Sequence, residues 1–309
     1  MSSNPWLERL GFSSEDRVMI LHTDDVGMCQ ASLDAYRDLL DFGLISTAST
    51  MVPAPWFPGV VELVRDYEGE LDLGVHLTLT SEWSRYRWGP VSTRDPDSGL
   101  LDAQGYLPQT RKEIAFRGKT EAVRQEIEGQ IANALDAGID VTHVDTHMGT
   151  AFNPDYARAY VEVALSHRIP PLVVRFIDPD VRRRVHMAEV EVSEDGVRDI
   201  VAQIRALEAR GVPLLDRVMD FPHDQPGGEL PRLKEMLETL PPGLTYMINH
   251  AAKDTPELRA ITPDWRGRVT DYRLMTSPAV RAVIKESGVH VIGWRDIRDT
   301  MRDGWNVNL

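Results

Sequence analysis

Two adjacent carboxylates, Asp24 and Asp25, follow the apolar run 17–22 and pass through Val26 into Gly27. Two histidines occupy the same kind of setting: His76 within 73–79, and His147 directly after the run 141–146. One carboxylate and two imidazoles delivered from three strand ends could hold zinc, and equally cobalt, nickel, iron or manganese. Three protein ligands leave a position open for water, as a catalytic ion requires. Such an ion lowers the pKa of its water and polarises a carbonyl oxygen. The leftover carboxylate would stand beside it as a base, and Asp24 has that place if Asp25 binds the ion. A departing amine needs a proton donor on the opposite side, and His250 is the candidate.

Each of these residues has a plainer reading. An Asp-Asp pair after a strand also caps helices and holds turns. His76, between Val75 and Leu77, also suits a satisfied core position. His143 alternates with Asp145 and His147, so it points toward the same end or into the core. His22 reads as core or as a support behind the site. His167, His186 and His290 read as surface or helix-end residues. Cys29, the single cysteine, sits just inside a helix N-terminus with no obvious partner base and reads as packed. Joint placement is what lifts Asp25, His76 and His147 above these separate readings.

The elements that must position them alternate between strand-like and helix-like runs. Strands are expected at about 17–22, 45–52, 71–78, 141–145, 171–175, 215–220, 243–249 and 289–293. Amphipathic helices are expected at 31–42, 56–65, 120–137, 154–167, 195–210, 229–240 and 270–286. Gly43, Gly138, Gly211 and Gly288 follow helical runs as stop signals. Repeated βα units predict an α/β fold with parallel strands. The count suits an irregular (β/α) barrel of seven to eight strands, with a doubly wound open sheet as the alternative. In a barrel all strand C-termini open on one face, where such enzymes place their chemistry. Asp24-Asp25, His76, Asp145 with His147, Arg175, Asp220 with His223, Asn249-His250 and Trp294-Arg295 all fall at such ends. Residues 81–118 break the rhythm and predict a long folded loop, rich in Trp, Tyr, Arg, Pro and Gly. A second irregular stretch covers 251–268. With no repeat or linker, 1–309 reads as one domain.

Composition bounds the partners. The chain of 309 residues is 42% hydrophobic, enough for a sizeable core, and carries a formal charge of -14. Nucleic acid and anionic membranes need clustered basic residues, and the one short cluster is Arg182-Arg183-Arg184. A single cysteine excludes an intrachain disulfide framework and a cysteine-based zinc finger. No apolar stretch approaches the roughly 18–20 residues of a membrane span, and the start has no secretory h-region. A cytoplasmic monomer or homodimer is the expectation.

The motifs resemble those of the YdjC/ChbG-like carbohydrate deacetylase family. Thr23-Asp24-Asp25-Val26-Gly27 resembles its Ala-Asp-Asp-Phe-Gly turn, and 74–80 its Gly-Leu-His-Leu-Asn-Leu-Thr. Residues 142–147 resemble Thr-His-Val-Asp-Ser-His, and 246–250 the strand ending in a His-Pro-Gly turn. Asp271-Tyr272-Arg273 and 291–296 resemble further segments, so the matches run in order from about 17 to 298. The resemblance implies an irregular (β/α) barrel of the glycoside hydrolase/deacetylase type and removal of N-acetyl groups from amino sugars such as chitooligosaccharides. It implies Asp25, His76 and His147 as ligands of one divalent metal, zinc first, with magnesium, cobalt, nickel or manganese also accommodated. It implies Asp24 as base, His250 as acid or oxyanion partner, and Asp145 and Arg273 as supporting residues. Two departures stand out. The family's Gln-His-Val-His is here Met148-Gly149-Thr150-Ala151, and its His-Pro-Gly is His250-Ala251-Ala252. Neither removes an expected ligand; both fall at expected substrate contacts.

The reading is therefore a metal-dependent hydrolase that removes an N-acetyl group from an amino sugar or related small amide, by attack of metal-bound water with an Asp base. Trp88 and its aromatic neighbours in 81–118 are candidates for stacking on a sugar ring. Two rivals are a metal-independent glycosidase, pairing Asp24 or Asp25 with Asp145 or Asp220, and a carbohydrate-binding protein without turnover.

Overall fold

Each apolar run is followed by a helix-forming stretch that carries the chain back to the same end of the sheet, so the strands pair in parallel. The computed structural model describes residues 3–175, 193–222 and 228–304; Arg182, Arg183, Arg184, His186 and His223 lie outside them. Seven strands form one sheet: β1 (Arg17–Val26), β2 (Thr47–Thr50), β3 (Leu73–Leu77), β4 (Val141–Thr146), β5 (Arg217–Asp220), β6 (Gly243–Asn249) and β7 (His290–Ile292). Their order is β4-β3-β2-β1-β6-β5, with β7 against the first half of β1, where Val18 faces His290 and Ile20 faces Ile292.

Strand pairing does not close the ring. The strand expected at 171–175 is reduced to isolated bridges, Val144 with Pro171 and Val174 with Leu215. Pro170 and Pro171 bring no N–H donors, which limits a ladder there. Backbone bonds still cross the gap, from Leu172 N to Val144 O at 2.8 Å and from Leu215 N to Val173 O at 2.9 Å. The result is an irregular (β/α) barrel, as the strand count predicts.

Helices cover the outside of the sheet. In Thr120–Asp136 the buried residues Val123, Ile127, Ile131 and Ala134 recur at helical spacing and face a core with Leu73, Val75 and Val141. Glu126 and Gln130 on the same face are buried too, and they fasten the 81–118 segment. The Glu126 carboxylate accepts from Val91 N and Ser92 N at 3.0 and 2.8 Å, and Gln130 bonds both N and O of Thr78. The expected loop is thus pinned by buried polar side chains, and it contains the helix Arg111–Arg117. The single helix expected at 270–286 is two, Trp265–Met275 and Pro278–Glu286. Pro278 cannot donate within a helix, and Ser277 caps the second one through its bond from Val280 N.

One expected strand end lies on the other face. β7 is only three residues long and pairs low on β1, so Trp294 and Arg295 do not reach the C-terminal mouth. Arg295 instead bonds the Asp72 carboxylate and pairs with Asp140, just before β3 and β4 begin. Trp294 plugs the barrel floor, stacked on His143 at 4.9 Å and 11°. Among the described residues no helix is long and apolar enough to cross a membrane.

Candidate metal centre

Consecutive residues of a regular strand point to opposite faces, so Asp24 and Asp25 could not both serve one site. A break in register between Thr23 and Val26 of β1 resolves this. Two residues there oppose one on β2, the mark of a bulge, which re-aims side chains. Asp25 adopts φ 60°, a left-handed conformation that costs an L-residue about 1–2 kcal/mol. Gly27 follows at φ 82°, where a Cβ would sit 2.6 Å from Val60 Cγ2, so glycine is required. Both carboxylates end buried at the barrel mouth.

Asp25, His76 and His147 come together as a compact group, their ligand atoms within 4.8 Å of one another. Asp25 Oδ1 lies 3.3 Å from His76 Nε2 and 3.1 Å from His147 Nδ1, and it is buried without a directed hydrogen bond. Ligand atoms about 2.0–2.2 Å from a tetrahedral or octahedral ion are themselves about 2.8–3.6 Å apart. The outer nitrogens are engaged elsewhere, as metal-binding imidazoles require. His76 Nδ1 bonds Asp145 Oδ1 at 2.7 Å, its direct partner in the β3–β4 register, and His147 Nε2 bonds Glu82 Oε1 at 3.1 Å. The inner lone pairs are thereby left for an ion. Arg268 Nη1 holds Asp25 Oδ2 at 2.7 Å, leaving Oδ1 as the free donor.

The electrostatics favour a cation. Burial opposes ionisation of Asp25, but Arg268 and His147 outweigh it and hold the carboxyl well below its usual range. Asp145 is likewise held low against burial by His76 and His22. Burial would lower both imidazoles, yet Asp145 and Asp24 push His76 well up, and Glu82 and Asp25 push His147 up to about 9. A field that retains protons on buried imidazoles will also attract a divalent ion in their place.

Asp24 stands next to this group. Its Oδ1 lies 2.9 Å from His22 Nε2, and its Oδ2 lies 3.6 Å from His250 Nε2 and 4.0 Å from His76 Nε2. His250, a third exposed, is placed by its N–H, which donates to Asp271 Oδ2 at 2.8 Å. His143 is buried deeper, its Nε2 3.9 Å from Asp145 Oδ2, and burial holds it well below the usual imidazole range. Two further overlapping groups, His22 with His143 and Asp145, and Asp24 with His76 and Asp145, share the hub carboxylate. Both oxygens of Asp145 are already engaged, by His76, Ser49 and Tyr246.

Other expected residues lie outside the cluster. Trp88 is buried, donates to Thr80 O at 2.9 Å and packs against Trp83 and Tyr86, so it shapes the loop rather than offering an open ring. Trp83 is the aromatic that meets the site's arginine, with Arg268 over its ring at 5.8 Å. Arg273 is exposed, and Arg268 of the same helix is the arginine that enters the site. Arg175 pairs with Asp216 and Glu208, and Asp220 is exposed. Cys29 is buried and burial pushes its thiol up. Glu82, Arg268, Ser49 and Tyr246 were not legible as site residues. Glu82 comes from the long loop and Arg268 from the first turn of the helix Trp265–Met275, in a stretch that reads as irregular in the sequence, and no strand end marks either.

Removing Arg268 should expose its importance directly. Arg268→Met leaves Asp25 buried without its strongest partner, and breaking such a pair costs about 3–5 kcal/mol. Urea unfolding of the metal-free variant should show that loss. An unchanged midpoint would mean that the protonated imidazoles suffice for Asp25.

Fold and site together define a (β/α)-barrel protein with a carboxylate–imidazole centre at its C-terminal mouth. A sequence model of the YdjC-like protein family matches residues 18–286. A carbohydrate deacetylase of Thermus thermophilus is 35% identical over 96% of this chain and 98% of its own. A carbohydrate deacetylase of Thermoanaerobacter pseudethanolicus is 20% identical over 88% and 96%. A crystal structure of a candidate cellobiose-phosphate cleavage protein from Enterococcus faecalis shares the fold, with a TM-score of 0.72 at 19% identity over 91% of this chain and 99% of that one. The chain belongs to the YdjC-like family.

Proposed function

We propose that this protein is a metal-dependent carbohydrate N-deacetylase, hydrolysing the amide of an N-acetylated amino sugar. The observation that carries the reading is Asp25 Oδ1 facing His76 Nε2 and His147 Nδ1, with a second carboxylate, Asp24, beside them. The relatives named carbohydrate deacetylases support the substrate class. Asp25, His76 and His147 would hold the ion; Asp145, Glu82 and Arg268 fix their orientation. A bound ion would supply Lewis-acid polarisation of the acetyl carbonyl and would acidify the attacking water. Asp24 Oδ2 takes the proton of the attacking water. His250, 3.6 Å from Asp24 Oδ2 and partly open to solvent, donates a proton to the departing amine.

Acetate release from a panel of N-acetylated sugars tests the reading, with zinc, cobalt or magnesium added and again after chelation. Metal-dependent release is expected. Full cleavage of glycosidic bonds in chelator would favour the carboxylate-pair glycosidase instead, and binding without turnover the non-catalytic reading.

Metal affinity should depend on pH. Ions displace protons from imidazoles, and His147 in the metal-free protein keeps its proton to about pH 9. Apparent affinity should therefore rise between pH 7 and 9 by at least about tenfold per unit, since His76, also pushed well up, adds a second proton to displace. Calorimetric titration with zinc checks this; a flat affinity across that range would contradict proton displacement from His147.

A further inference from the structure

His22 lies behind the proposed base and is fully buried, on β1 two positions before Asp24. Its Nε2 bonds Ser49 Oγ at 3.0 Å and sits 2.9 Å from Asp24 Oδ1 and 3.2 Å from Asp145 Oδ2. Three oxygens around one ring nitrogen require that nitrogen to carry the hydrogen, since a bare lone pair there would face two carboxylates. Asp24 Oδ1 is buried without a directed hydrogen bond, and His22 Nε2, whose hydrogen bond is to Ser49 Oγ, is the ring nitrogen it faces at 2.9 Å. The ring is itself immobilised, packed on Tyr246 at 4.7 Å and edge-on to His143 at 5.1 Å. Its backbone carbonyl accepts from Asn249 Nδ2 at 2.7 Å, which ties this point of β1 to the end of β6.

The consequence reaches both halves of the site. Ser49 donates to Asp145 Oδ2 at 3.0 Å and lies 3.1 Å from His76 Nδ1. Asp145 in turn orients His76, a proposed ligand. One ring thus touches the carboxylate proposed to take a proton and the carboxylate that aims a ligand. We propose that His22 is the positioning residue for Asp24, fixing Oδ1 against the barrel wall so that Oδ2 faces the reacting side at a set distance from the ligands. This rests on the deacetylase reading and deepens it. Reactive geometry tolerates little drift, since misplacement by about 1 Å can cost about 100-fold in rate. A ring that merely filled the barrel would make no distinction between side chains that do and do not reach the place of Nε2.

The test compares His22→Gln with His22→Asn in the full-length protein loaded with zinc. The Gln amide nitrogen reaches the place of Nε2, whereas the Asn amide nitrogen stops at the place of Nδ1. Both are polar and similar in their demands on the fold. His22→Gln should keep kcat within about threefold of wild type, and His22→Asn should lose about 100-fold in kcat. KM and zinc stoichiometry should stay unchanged in both. An Asn variant with wild-type kcat, a Gln variant as slow as Asn, or loss of zinc from either would overturn the proposal. A second readout needs no turnover. In metal-free protein labelled with 15N-histidine, the His22 Nε2-bound proton should be slow to exchange and should shift on Asp24→Asn. A proton unaffected by that substitution overturns the proposal as well. If wild type itself releases no acetate while this coupling is present, the deacetylase reading has failed and the His22–Asp24 contact has not.

Discussion

Asp24→Asn is expected to lower kcat for acetate release by about 10²–10⁴-fold, the usual range for loss of a general base, with zinc still bound. Asn has the same shape, so the packing of this buried position survives. Its amide oxygen can still face His22 Nε2, as Asp24 Oδ1 does at 2.9 Å. Its NH2 group then occupies the place of Oδ2, toward His250 and His76, and cannot accept a proton. Metal content by elemental analysis, measured with kcat on the same sample, separates the two carboxylates. A variant that loses zinc would show that Asp24 is a ligand and that the roles of the pair are exchanged. A variant with full kcat and full zinc would remove Asp24 from the chemistry.

His147→Ala is expected to lose both metal and activity. It removes one of three proposed ligand atoms, a larger injury than the roughly 10–100-fold in affinity that loss of a supporting residue costs. It also leaves Asp25 and Glu82 facing an empty space that a shared imidazole had filled. Two buried carboxylates without that partner repel each other, so the metal-free variant should also unfold at lower urea than wild type. A metal-loaded and active His147→Ala protein would take His147 out of the ligand set. The Asp24 and His147 variants together form a pattern: one keeps the ion and loses the rate, the other loses both. A glycosidase that works with two carboxylates would instead lose rate in Asp24→Asn and keep it in His147→Ala.

How much of this was legible varies with the kind of signal. The strand ends carrying Asp24, Asp25, His76, Asp145 and His147 could be read because apolar runs followed by helical periodicity fix both the element and its direction. β7 misled, because its run looks like any other strand end although it pairs only with Val18 to Ile20 of β1. Its length and register are settled by neighbours far away in the chain. At Ser277-Pro278 proline opens a new helix, whereas the periodicity on both sides suggests continuity. Trp88 stood out by residue type alone, yet burial against Thr80, Trp83 and Tyr86 is a matter of the loop's own packing.

The sequence by itself determined the parallel α/β class, the parallel delivery of acids and imidazoles to one end of the sheet, and the membership of the motifs in one family pattern. These follow from local periodicity and from residue chemistry, which need no distant contact. Only the tertiary structure decided which atoms meet. The bulge at Asp24 and Asp25 turns two residues of opposite faces into one pair, and it depends on the register of β1 against β2. Glu82 reaches His147 from the long loop, and Arg268 reaches Asp25 from a helix start that sequence periodicity does not mark. The assignment of inner and outer nitrogens on His76 and His147 rests on partners brought from β4 and from the 81–118 segment. Hydrogen bonds and charges act over a few ångströms, and such distances between remote residues exist only once the chain has closed around its barrel.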